Sequence, residues 1–393
     1  MKYRKMKTLD WDVSVLGFGA MRLPTKKSWD DIDYEKGIKM VRYAIDNGVN
    51  YVDTAWSYHV EKSEAFIGEA LKDDYREKVK LVTKSPIWLL EHYDDLEKYL
   101  DIQLNNLQTN YLDIYLFHAL NQDNWKKIKE LDLIKGMEEL KTKGKIKNFG
   151  FSFHGSYDTF KEIIDSYSWD LAQIQFNYLD VDYQATIEGL NYAYSKNIPI
   201  VIMEPLRGGK LAESNEELEK MLENAPSKKT LVDWALQFIW NHPGVSVVLS
   251  GMSSLQQVKE NIDSANNSEP NSLTEDDLKF INNLRDYYKK KIKVHCTNCK
   301  YCIPCPHGVN IPENFNLINH AAWTGTVEDW VQSWYDEMDD DSKETDWHGK
   351  GKSNLCIKCG ECLEKCPQNI DIPSQLEDVR LVFEEEKPIK DFL

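Results

Sequence analysis

The sequence predicts an α/β fold in which a (β/α)8 TIM barrel is followed by a small, mainly helical C-terminal domain. Two observations lead to this prediction. Between Val13 and Ser250, short apolar runs rich in β-forming residues alternate with amphipathic helical patterns. All eight cysteines lie between Cys296 and Cys366, so the end of the chain differs in composition from the rest. A length of 393 residues suits one large and one small domain.

The barrel prediction depends on eight candidate strands with helices between them. Apolar residues at helical spacing predict helices at Asp33–Asn47, Asp95–Leu107 and Ile128–Lys143. Eight strand–helix units over about 240 residues are the expected content of a (β/α)8 barrel. An open doubly wound sheet is the alternative, but its G-x-G-x-x-G fingerprint is absent, because GFGAMR lacks the third glycine. The candidate strands are Val13–Phe18, Tyr51–Asp53, Val79–Lys84, Asp113–Phe117, Asn148–Ser152, Leu171–Gln175, Ile198–Met203 and Val245–Ser250.

The barrel is expected to end shortly after a last helix. The polar segment Asn266–Thr274, which contains a proline, predicts a turn, and Thr274 is a candidate N-cap for a helix that reaches Tyr287. The charged stretch YYKKKIK follows and leads into the cysteines. We therefore place the domain boundary near Lys291, with a barrel over 1–291 and a second domain over 292–393.

The net charge and the hydropathy of the sequence limit the classes of molecule that the protein is expected to bind. The formal net charge is −17, and an acidic chain repels phosphate backbones and anionic lipid, so we expect no nucleic-acid or membrane partner. The N-terminal MKYRKMKTLDW has no apolar core of a signal peptide, and the aliphatic run Ile198–Met203 is too short to span a bilayer. A cytoplasmic location is the expectation. The acidic run Asp339–Asp341 is expected to be a solvated loop.

Ionisable residues at strand ends indicate where the barrel carries chemistry. The strands YVD, LVTK and LFH end at Asp53, Lys84 and His118, and Tyr58 follows in the loop DTAWSYH. Active sites of (β/α)8 barrels lie at the carboxyl ends of their strands. A single residue of this kind is more often a cap or a solvated charge, but four on three consecutive units predict a catalytic site.

In this order and spacing, Asp53, Tyr58, Lys84 and His118 resemble the catalytic tetrad of the aldo-keto reductase family. Further stretches match in order, namely GFGAMRLP, SEAFIGEAL, GKIKNFGFS and GMSSLQQVKENI, so the resemblance covers residues 8 to about 266. It implies NAD(P)H-dependent reduction of a small-molecule aldehyde or ketone to an alcohol by hydride transfer. Tyr58 would be the general acid, Lys84 would favour its phenolate, Asp53 would hold Lys84, and His118 would orient the carbonyl.

The same resemblance implies contacts to a nicotinamide cofactor. Ser152 in GFSFH and Gln173 in LAQIQF match the residues that contact the carboxamide. The asparagine that usually follows the serine is here Phe153, and His154 is a candidate replacement. Glu204 stands where the family has an aromatic residue that stacks on the ring.

The phosphate and adenosine ends of the cofactor are assigned to two loops. The loop LRGGK can form an anion nest of backbone N–H groups for the pyrophosphate. Where many members have a lysine and an arginine for the 2′-phosphate, this chain has Gly251 and Gln257, yet serines and amides can also hold a phosphate. We predict NADP, with NAD as the alternative. The candidate residues are Leu206, Gly208, Gly209, Lys210, Ser253, Gln257 and Asn261.

The cysteines form two runs, HCTNCKYCIPCP and LCIKCGECLEKCP, each with three closely spaced thiols and then Cys-Pro. A cytoplasmic chain favours metal over disulfides, and zinc sites usually use two separated pairs of ligands, so iron–sulfur is preferred to zinc. The pattern is typical of two-cluster ferredoxins, in which the last cysteine of each run ligates the other cluster. We therefore predict a ferredoxin-like domain with two 4Fe-4S clusters. One is assigned Cys296, Cys299, Cys302 and Cys366, and the other Cys305, Cys356, Cys359 and Cys362.

Two functional hypotheses follow for the whole chain. In the first, it is a nicotinamide-dependent carbonyl reductase whose clusters are structural or regulatory. In the second, it is an iron–sulfur electron-transfer oxidoreductase that exchanges single electrons with a redox partner protein. No flavin motif that could split a hydride into single electrons is visible, which weakens a direct coupling of the two.

Overall fold

The computed structural model describes residues 1–6, 9, 11–26, 29–338 and 351–393. Its contacts divide the chain into two compact units, Met1–Ile281 and Asn282–Leu393. The domain limits 1–291 and 292–393 remain a prediction. The acidic run Asp339–Asp341 lies outside the described residues. Within the described ranges, no helix has the length and apolar character needed to cross a membrane.

The first unit is a closed barrel of eight parallel strands, as the sequence predicts. Around the barrel the order is β10-β3-β4-β5-β6-β7-β8-β9, so neighbours in sequence are neighbours in space and the last strand closes on the first. The strands are β1 (Tyr3–Met6), β2 (Trp11–Ser14), β3 (Leu16–Gly19), β4 (Tyr51–Asp53), β5 (Lys80–Ser85), β6 (Leu112–Leu120), β7 (Ile146–Phe153), β8 (Ala172–Gln175), β9 (Ile200–Met203) and β10 (Val245–Gly251).

Helices follow the strands and bury their apolar faces against the outside of the barrel. A continuous core of aliphatic and aromatic side chains fills the space between the two layers. The helices of this unit are α1 (Tyr34–Asp46), α2 (Ser63–Ala70), α3 (Asp95–Asn106), α4 (Gln122–Glu130), α5 (Leu133–Thr142), α6 (Tyr157–Ser166), α7 (Thr186–Ser195), α8 (Glu216–Glu223), α9 (Leu231–Trp240) and α10 (Leu255–Asn266), and the division between units falls within α11 (Glu275–Lys289).

A second, separate apolar cluster fills the interior of the barrel. Successive strand residues point to opposite faces, so every second residue of a barrel strand faces the interior. Tyr51, Val82 and Leu116 belong to this cluster, on three consecutive strands. The antiparallel hairpin β1–β2 adds Met6 and Val13 to it, and thereby closes one end of the interior.

Of three local predictions, the structure corrects two and confirms one. The predicted strand Val13–Phe18 is two elements, because β2 pairs with β1 in the hairpin while β3 joins the barrel. The predicted helix Ile128–Lys143 is broken into α4 and α5 at Asp132, which has φ 53°, a left-handed conformation that Asp tolerates. The N-cap prediction is confirmed: Thr274 Oγ1 accepts from the backbone N–H of Asp277 at 3.1 Å, and the Asp277 carboxylate accepts from Thr274 N–H.

The second unit is helical and is built on two similar segments. Its described helices after α11 are α12 (Ile311–Thr324), α13 (Asp329–Glu337), α14 (Glu361–Lys365) and α15 (Ile372–Phe383). The sequences CPHGVNIP and CPQNIDIP precede α12 and α15 in the same way, and in each the residue before Ile-Pro is the N-cap. The two helices pack against each other, and their buried faces share one small apolar core.

Candidate active site and cysteine cavities

Side chains along each barrel strand alternate between the interior and the exterior, and this alternation explains why three ionisable residues meet inside the barrel. Asp53, Lys84 and His118 each lie two residues after a member of the interior cluster on the same strand, so each faces inward. Their strands β4, β5 and β6 are consecutive neighbours. All three side chains are buried, and so is Tyr58 in the loop after β4. The structure therefore brings together all four residues that the sequence predicted as catalytic.

The Lys84 ammonium is the centre of this group. Its Nζ donates to both carboxylate oxygens of Asp53, at 2.7 and 2.9 Å, and to the backbone carbonyl of Thr54 at 2.8 Å. The same nitrogen lies 3.4 Å from the hydroxyl oxygen of Tyr58. The Tyr58 ring meets the His118 ring edge-on, with centroids 6.3 Å apart, and the half-exposed Trp88 lies 5.3 Å from His118 on another side.

Burial shifts the pKa values of the ionisable residues in this site. It raises the pKa of Asp53 and lowers the pKa of Lys84, and the ion pair between them opposes both shifts. Burial, with the nearby positive charge of Lys84, holds the pKa of His118 well below its usual value. His118 is therefore a neutral imidazole at physiological pH, and a neutral imidazole can still donate one hydrogen bond.

A buried polar network that the sequence did not reveal supports the strand that carries Lys84. Glu64 accepts from Thr83 Oγ1 and from Gln103 Nε2, both at 2.6 Å. Gln103 also donates to the Lys84 carbonyl at 3.0 Å and accepts from the Tyr115 hydroxyl at 2.7 Å. The motif SEAFIGEAL contains the glutamate, but nothing local in it indicates that the carboxylate is buried.

The two predicted carboxamide residues are adjacent in the barrel. Ser152 on β7 pairs with Gln173 on β8, and both are buried. Ser152 Oγ accepts from the backbone N–H of Ala119 at 2.8 Å, which leaves its own hydroxyl hydrogen available. Gln173 Nε2 contacts Met203 Sδ at 3.6 Å, and its buried Oε1 has no hydrogen-bond partner in the described part of the chain. A bound amide could satisfy that oxygen.

The predicted phosphate loop follows β9 and has an unusual backbone. Arg207, Gly208 and Gly209 have φ values of 49°, 72° and 104°, so three successive residues are left-handed. Leu206 and Lys210 flank them. The two glycines adopt this conformation without the steric cost that a side chain would bring.

An ion pair holds this loop to the loop after β8. The buried Asp180 carboxylate accepts from Arg207 Nε at 2.9 Å, from Asn177 Nδ2 at 3.0 Å and from Gln175 Nε2 at 3.1 Å. The Arg207 side chain is only 2% exposed. This cluster was not predicted from the sequence, because its members come from different loops.

The residues predicted at the adenosine end lie just before α10 and within it, and they are not equally accessible. Gln257 Oε1 accepts from Ser253 N and Oγ, at 2.8 and 3.2 Å, and Ser254 caps the helix. Both Ser253 and Gln257 are exposed. Asn261 is 4% exposed and donates to Ser250 Oγ at 2.8 Å. In this conformation, Asn261 connects α10 to β10.

In the second unit, the eight cysteines line two cavities in the grouping that the sequence predicted. All eight are free thiols. Cys302 also borders the second cavity. The first cavity is lined by Cys296, Cys299, Cys302 and Cys366, and the second by Cys305, Cys356, Cys359 and Cys362.

The residues that line the two cysteine cavities are suited to bind an iron–sulfur centre. Burial raises the pKa of Cys302, and the nearby Cys299, Cys296 and Cys366 raise it further; burial likewise raises the pKa of Cys362 to about 11. A raised pKa keeps these groups as neutral thiols when no metal is bound, and metal binding, which uses the thiolate, displaces their protons. In the described residues, no three His, Cys, Asp or Glu lie close enough to hold a single ion.

Comparison with known proteins agrees with this geometry. Residues 15–285 match the model of the aldo/keto reductase family, and residues 295–370 match a 4Fe-4S dicluster domain. The chain belongs to the aldo/keto reductase family. It is an oxidoreductase that carries a dicluster iron–sulfur domain after its aldo/keto reductase barrel.

Individual relatives resemble the barrel. The Bacillus subtilis protein "Uncharacterized oxidoreductase YqkF" is 28% identical over 325 residues, which cover 74% of this chain and 99% of the relative. The Escherichia coli NADH-specific methylglyoxal reductase is 25% identical, covering 68% of this chain and 94% of the relative. The structure of aldo-keto reductase AKR11C1 from Bacillus halodurans (holo form) aligns with a TM-score of 0.60 at 28% identity, over 72% of this chain and 96% of that one.

Proposed function

We propose that the barrel reduces an aldehyde or ketone to an alcohol by hydride transfer from NAD(P)H. The observation that carries the proposal is the buried Lys84 ammonium, bound to both oxygens of Asp53 and 3.4 Å from the Tyr58 hydroxyl. Such a buried ion pair contributes little to the stability of the fold, because the desolvation penalty of two buried charges often exceeds the free energy of their attraction. It suits proton transfer by a tyrosine.

Each residue has a distinct role in this proposal. When bound, the cofactor supplies the hydride. Tyr58 donates its phenolic proton to the substrate oxygen, and Lys84 stabilises the phenolate that remains, which a tyrosine with its ordinary pKa of about 10 would form reluctantly. Asp53 holds the ammonium in place. His118, neutral in this site, donates a hydrogen bond that orients the carbonyl and stabilises negative charge on its oxygen.

We assign the cofactor contacts by the same reasoning. The unsatisfied Gln173 Oε1 and the free hydroxyl hydrogen of Ser152 are an acceptor and a donor side by side, as a carboxamide requires. The left-handed loop around Gly208 and Gly209 is assigned to the pyrophosphate, and Ser253 and Gln257 to the adenosine end. We favour NADP. The Escherichia coli relative is named as NADH-specific, so NADH is tested in parallel.

Substitution of Tyr58 by Phe tests the proposal. We expect kcat with a panel of aldehydes and ketones to fall by about 10²–10⁴-fold, because general acid catalysis typically contributes that much. Cofactor affinity, followed by quenching of protein fluorescence, should not change. The exposed Tyr194, changed to Phe, is the matched control. A Tyr58 variant that keeps most of its kcat would refute the assignment.

We further propose that the two cysteine cavities each hold a 4Fe-4S cluster. When bound, each cluster supplies a one-electron centre. The alternative function, electron exchange with a redox partner protein, is favoured by one observation: Cys359 is exposed, and so is its neighbour Ile357, with 64% of its surface accessible. The second cavity therefore reaches the surface of its unit.

Anaerobic mixing with NADPH distinguishes a structural role from an electron-transfer role. A hydride carries two electrons and each cluster accepts one, so without a flavin we expect cluster absorbance to persist after NADPH is added. Iron analysis should give about eight irons per chain. Bleaching at the catalytic rate, without an added flavoprotein, would favour the electron-transfer function instead.

A further inference from the structure

The loop that carries Tyr58 has an unusual backbone directly after that residue. His59, Val60 and Glu61 have φ values of 52°, 53° and 64°, so three successive residues other than glycine are left-handed. This conformation costs free energy for a residue with a side chain, most of all for a β-branched one, and it persists only where the surrounding structure holds it. Contacts from another part of the barrel must therefore fix this loop.

His59 makes such contacts with the chain between β3 and α1. Its side chain is fully buried. Nε2 accepts a hydrogen bond from the backbone N–H of Leu23 at 3.2 Å, and Nδ1 lies 2.6 Å from the carbonyl oxygen of Trp29. Because a carbonyl oxygen can only accept, Nδ1 carries the hydrogen and the imidazole is neutral. The ring also stacks on the Trp29 indole, with centroids 4.1 Å apart. Both ring nitrogens and one ring face are thus engaged.

Further hydrogen bonds close the turn that begins at Tyr58. The Tyr58 carbonyl accepts from the N–H of Ser63, and the His59 carbonyl accepts from the N–H of Lys62, both at 3.2 Å. At the end of the turn, Ser63 Oγ donates to the carbonyl of Ala20 at 3.2 Å. The turn is therefore closed on itself, and His59 and Ser63 attach it to the chain that follows β3.

The position of the Tyr58 hydroxyl depends on this turn. Asp53, Lys84 and His118 lie on barrel strands, whereas Tyr58 lies on the loop after β4. Its hydroxyl oxygen is 3.4 Å from the Lys84 ammonium nitrogen, compared with 2.7 Å from that nitrogen to the nearer oxygen of Asp53. A shift of the turn by about 1 Å takes the phenol out of hydrogen-bond range, and a misplacement of that size can cost about 10²-fold in rate.

We propose that His59 is a positioning residue, which holds the Tyr58 hydroxyl beside the Lys84 ammonium by anchoring the turn to the chain after β3. This inference rests on the proposed carbonyl reductase function and adds to it a residue that does not touch the substrate. Two backbone groups, the Leu23 N–H and the Trp29 carbonyl, fix the imidazole, and the imidazole fixes the backbone next to Tyr58.

His59→Gly is the direct test, because glycine adopts the left-handed backbone without steric cost but removes both hydrogen bonds of the ring. With the full-length protein, NADPH and an aldehyde that the wild type reduces, we expect kcat to fall by about 10- to 10²-fold. The affinity for NADPH, followed by quenching of protein fluorescence, should not change. Val60→Gly is the matched control: it changes the next left-handed residue, whose side chain is 48% exposed, and should keep the wild-type kcat.

Two readouts distinguish positioning from a general loss of structure. In the Tyr58→Phe background, His59→Gly should lower the residual rate no further, because its effect passes through the Tyr58 hydroxyl. In alcohol oxidation, the pH range over which the rate of His59→Gly rises should move to higher pH, because the phenolate then lies farther from the Lys84 ammonium. An equal loss in both backgrounds, with an unmoved pH profile, would mean that His59 is structural only.

His59→Asn keeps the inference testable if the glycine variant does not fold. Asparagine tolerates the left-handed backbone, and its amide can donate to the Trp29 carbonyl in place of Nδ1, while the bond from Leu23 is lost. We expect a kcat below that of the wild type and a shift of the pH profile in the same direction. Wild-type kcat and pH profile in either folded variant would overturn the inference and leave the reductase intact. A wild-type protein that reduces no aldehyde or ketone would refute the proposed function, and the inference with it.

Discussion

The barrel and the cysteine unit place their functional groups by different means. In the barrel, Asp53, Lys84 and His118 occupy inward positions of strands whose other inward positions are apolar, and two large cores fix those strands. In the cysteine unit, one small core lies beside two cavities lined by thiols. The barrel site is thus a local change in a scaffold that is already stable. Six of the eight cysteines pack against that small core, so we expect the cysteine sites to contribute to the stability of their unit.

This contrast predicts that iron removal unfolds only one unit. After anaerobic chelation, we expect hydrogen exchange in α12 and α15 to rise to the level of an unfolded chain, because the small core alone cannot offset the chain entropy once the clusters are lost. Peptides from the barrel should keep their protection. Reconstitution with iron and sulfide should restore the helices, and unchanged protection of α12 after iron loss would remove the contrast.

Lys84→Met tests whether a residue of the barrel site can be changed without unfolding the barrel. We expect kcat to fall by about 10²-fold or more with the fold intact, because the phenolate loses its cation. In alcohol oxidation Tyr58 must be the phenolate, so the pH range over which the oxidation rate rises should also move to higher pH. The exposed Lys98, changed to Met, should leave both quantities as in the wild type. Retained activity with an unmoved profile would mean that Lys84 is structural only.

Gln103→Leu tests whether the polar network behind Lys84 belongs to the scaffold. The substitution leaves the Tyr115 hydroxyl and the Lys84 carbonyl without their partner. We expect a loss of about 1–3 kcal/mol in the free energy of unfolding of the barrel, measured with denaturant. Gln256→Leu, on the exposed face of α10, is the control. If both variants are equally stable, the network contributes little.

His242 gives the smallest expected effect. Burial, with the nearby Arg4, lowers the pKa of His242 to about 4, and its ring packs against Phe176 and Phe238. Below the unfolded pKa of about 6.5, the unfolded chain takes up a proton that the folded barrel resists until near pH 4. Stability should therefore fall as the pH is lowered, by about 1–2 kcal/mol at pH 5 from this residue.

His242→Phe should flatten that part of the pH dependence, as measured by the midpoint of barrel unfolding between pH 7 and pH 4.5. The same substitution at the exposed His92 provides the baseline. An equal slope in the two variants would contradict the prediction.

The sequence was most informative where a local pattern determines the three-dimensional result. Asp53, Lys84 and His118 lie close together as predicted, because alternation and parallel order determine which side chains meet, although β5 and β6 continue to Ser85 and Leu120. The cysteine grouping was likewise readable from the spacing. The division between β2 and β3 was missed because the apolar run from Val13 to Phe18 has no turn signal between Ser14 and Leu16.

The features that could not be predicted depend on contacts between distant segments. The break at Asp132 needs a left-handed residue that the helical period conceals. The pair Asp180 and Arg207 joins two loops, and nothing near either residue identifies the other. The hydrogen bond between His154 Nδ1 and Gln184 Oε1 likewise joins two segments that are distant in sequence.

The two cysteine cavities have a consequence for how the protein is made. The first cavity takes three cysteines from the first run and Cys366 from the second, so it is incomplete until Cys366 has been synthesised. At about 5–20 residues per second, the intervening stretch takes on the order of 4–14 s to translate. During that time the first three thiols are present without their fourth member. The ligand set of this cavity is therefore complete only after Cys366, and with it the whole barrel sequence, has been synthesised.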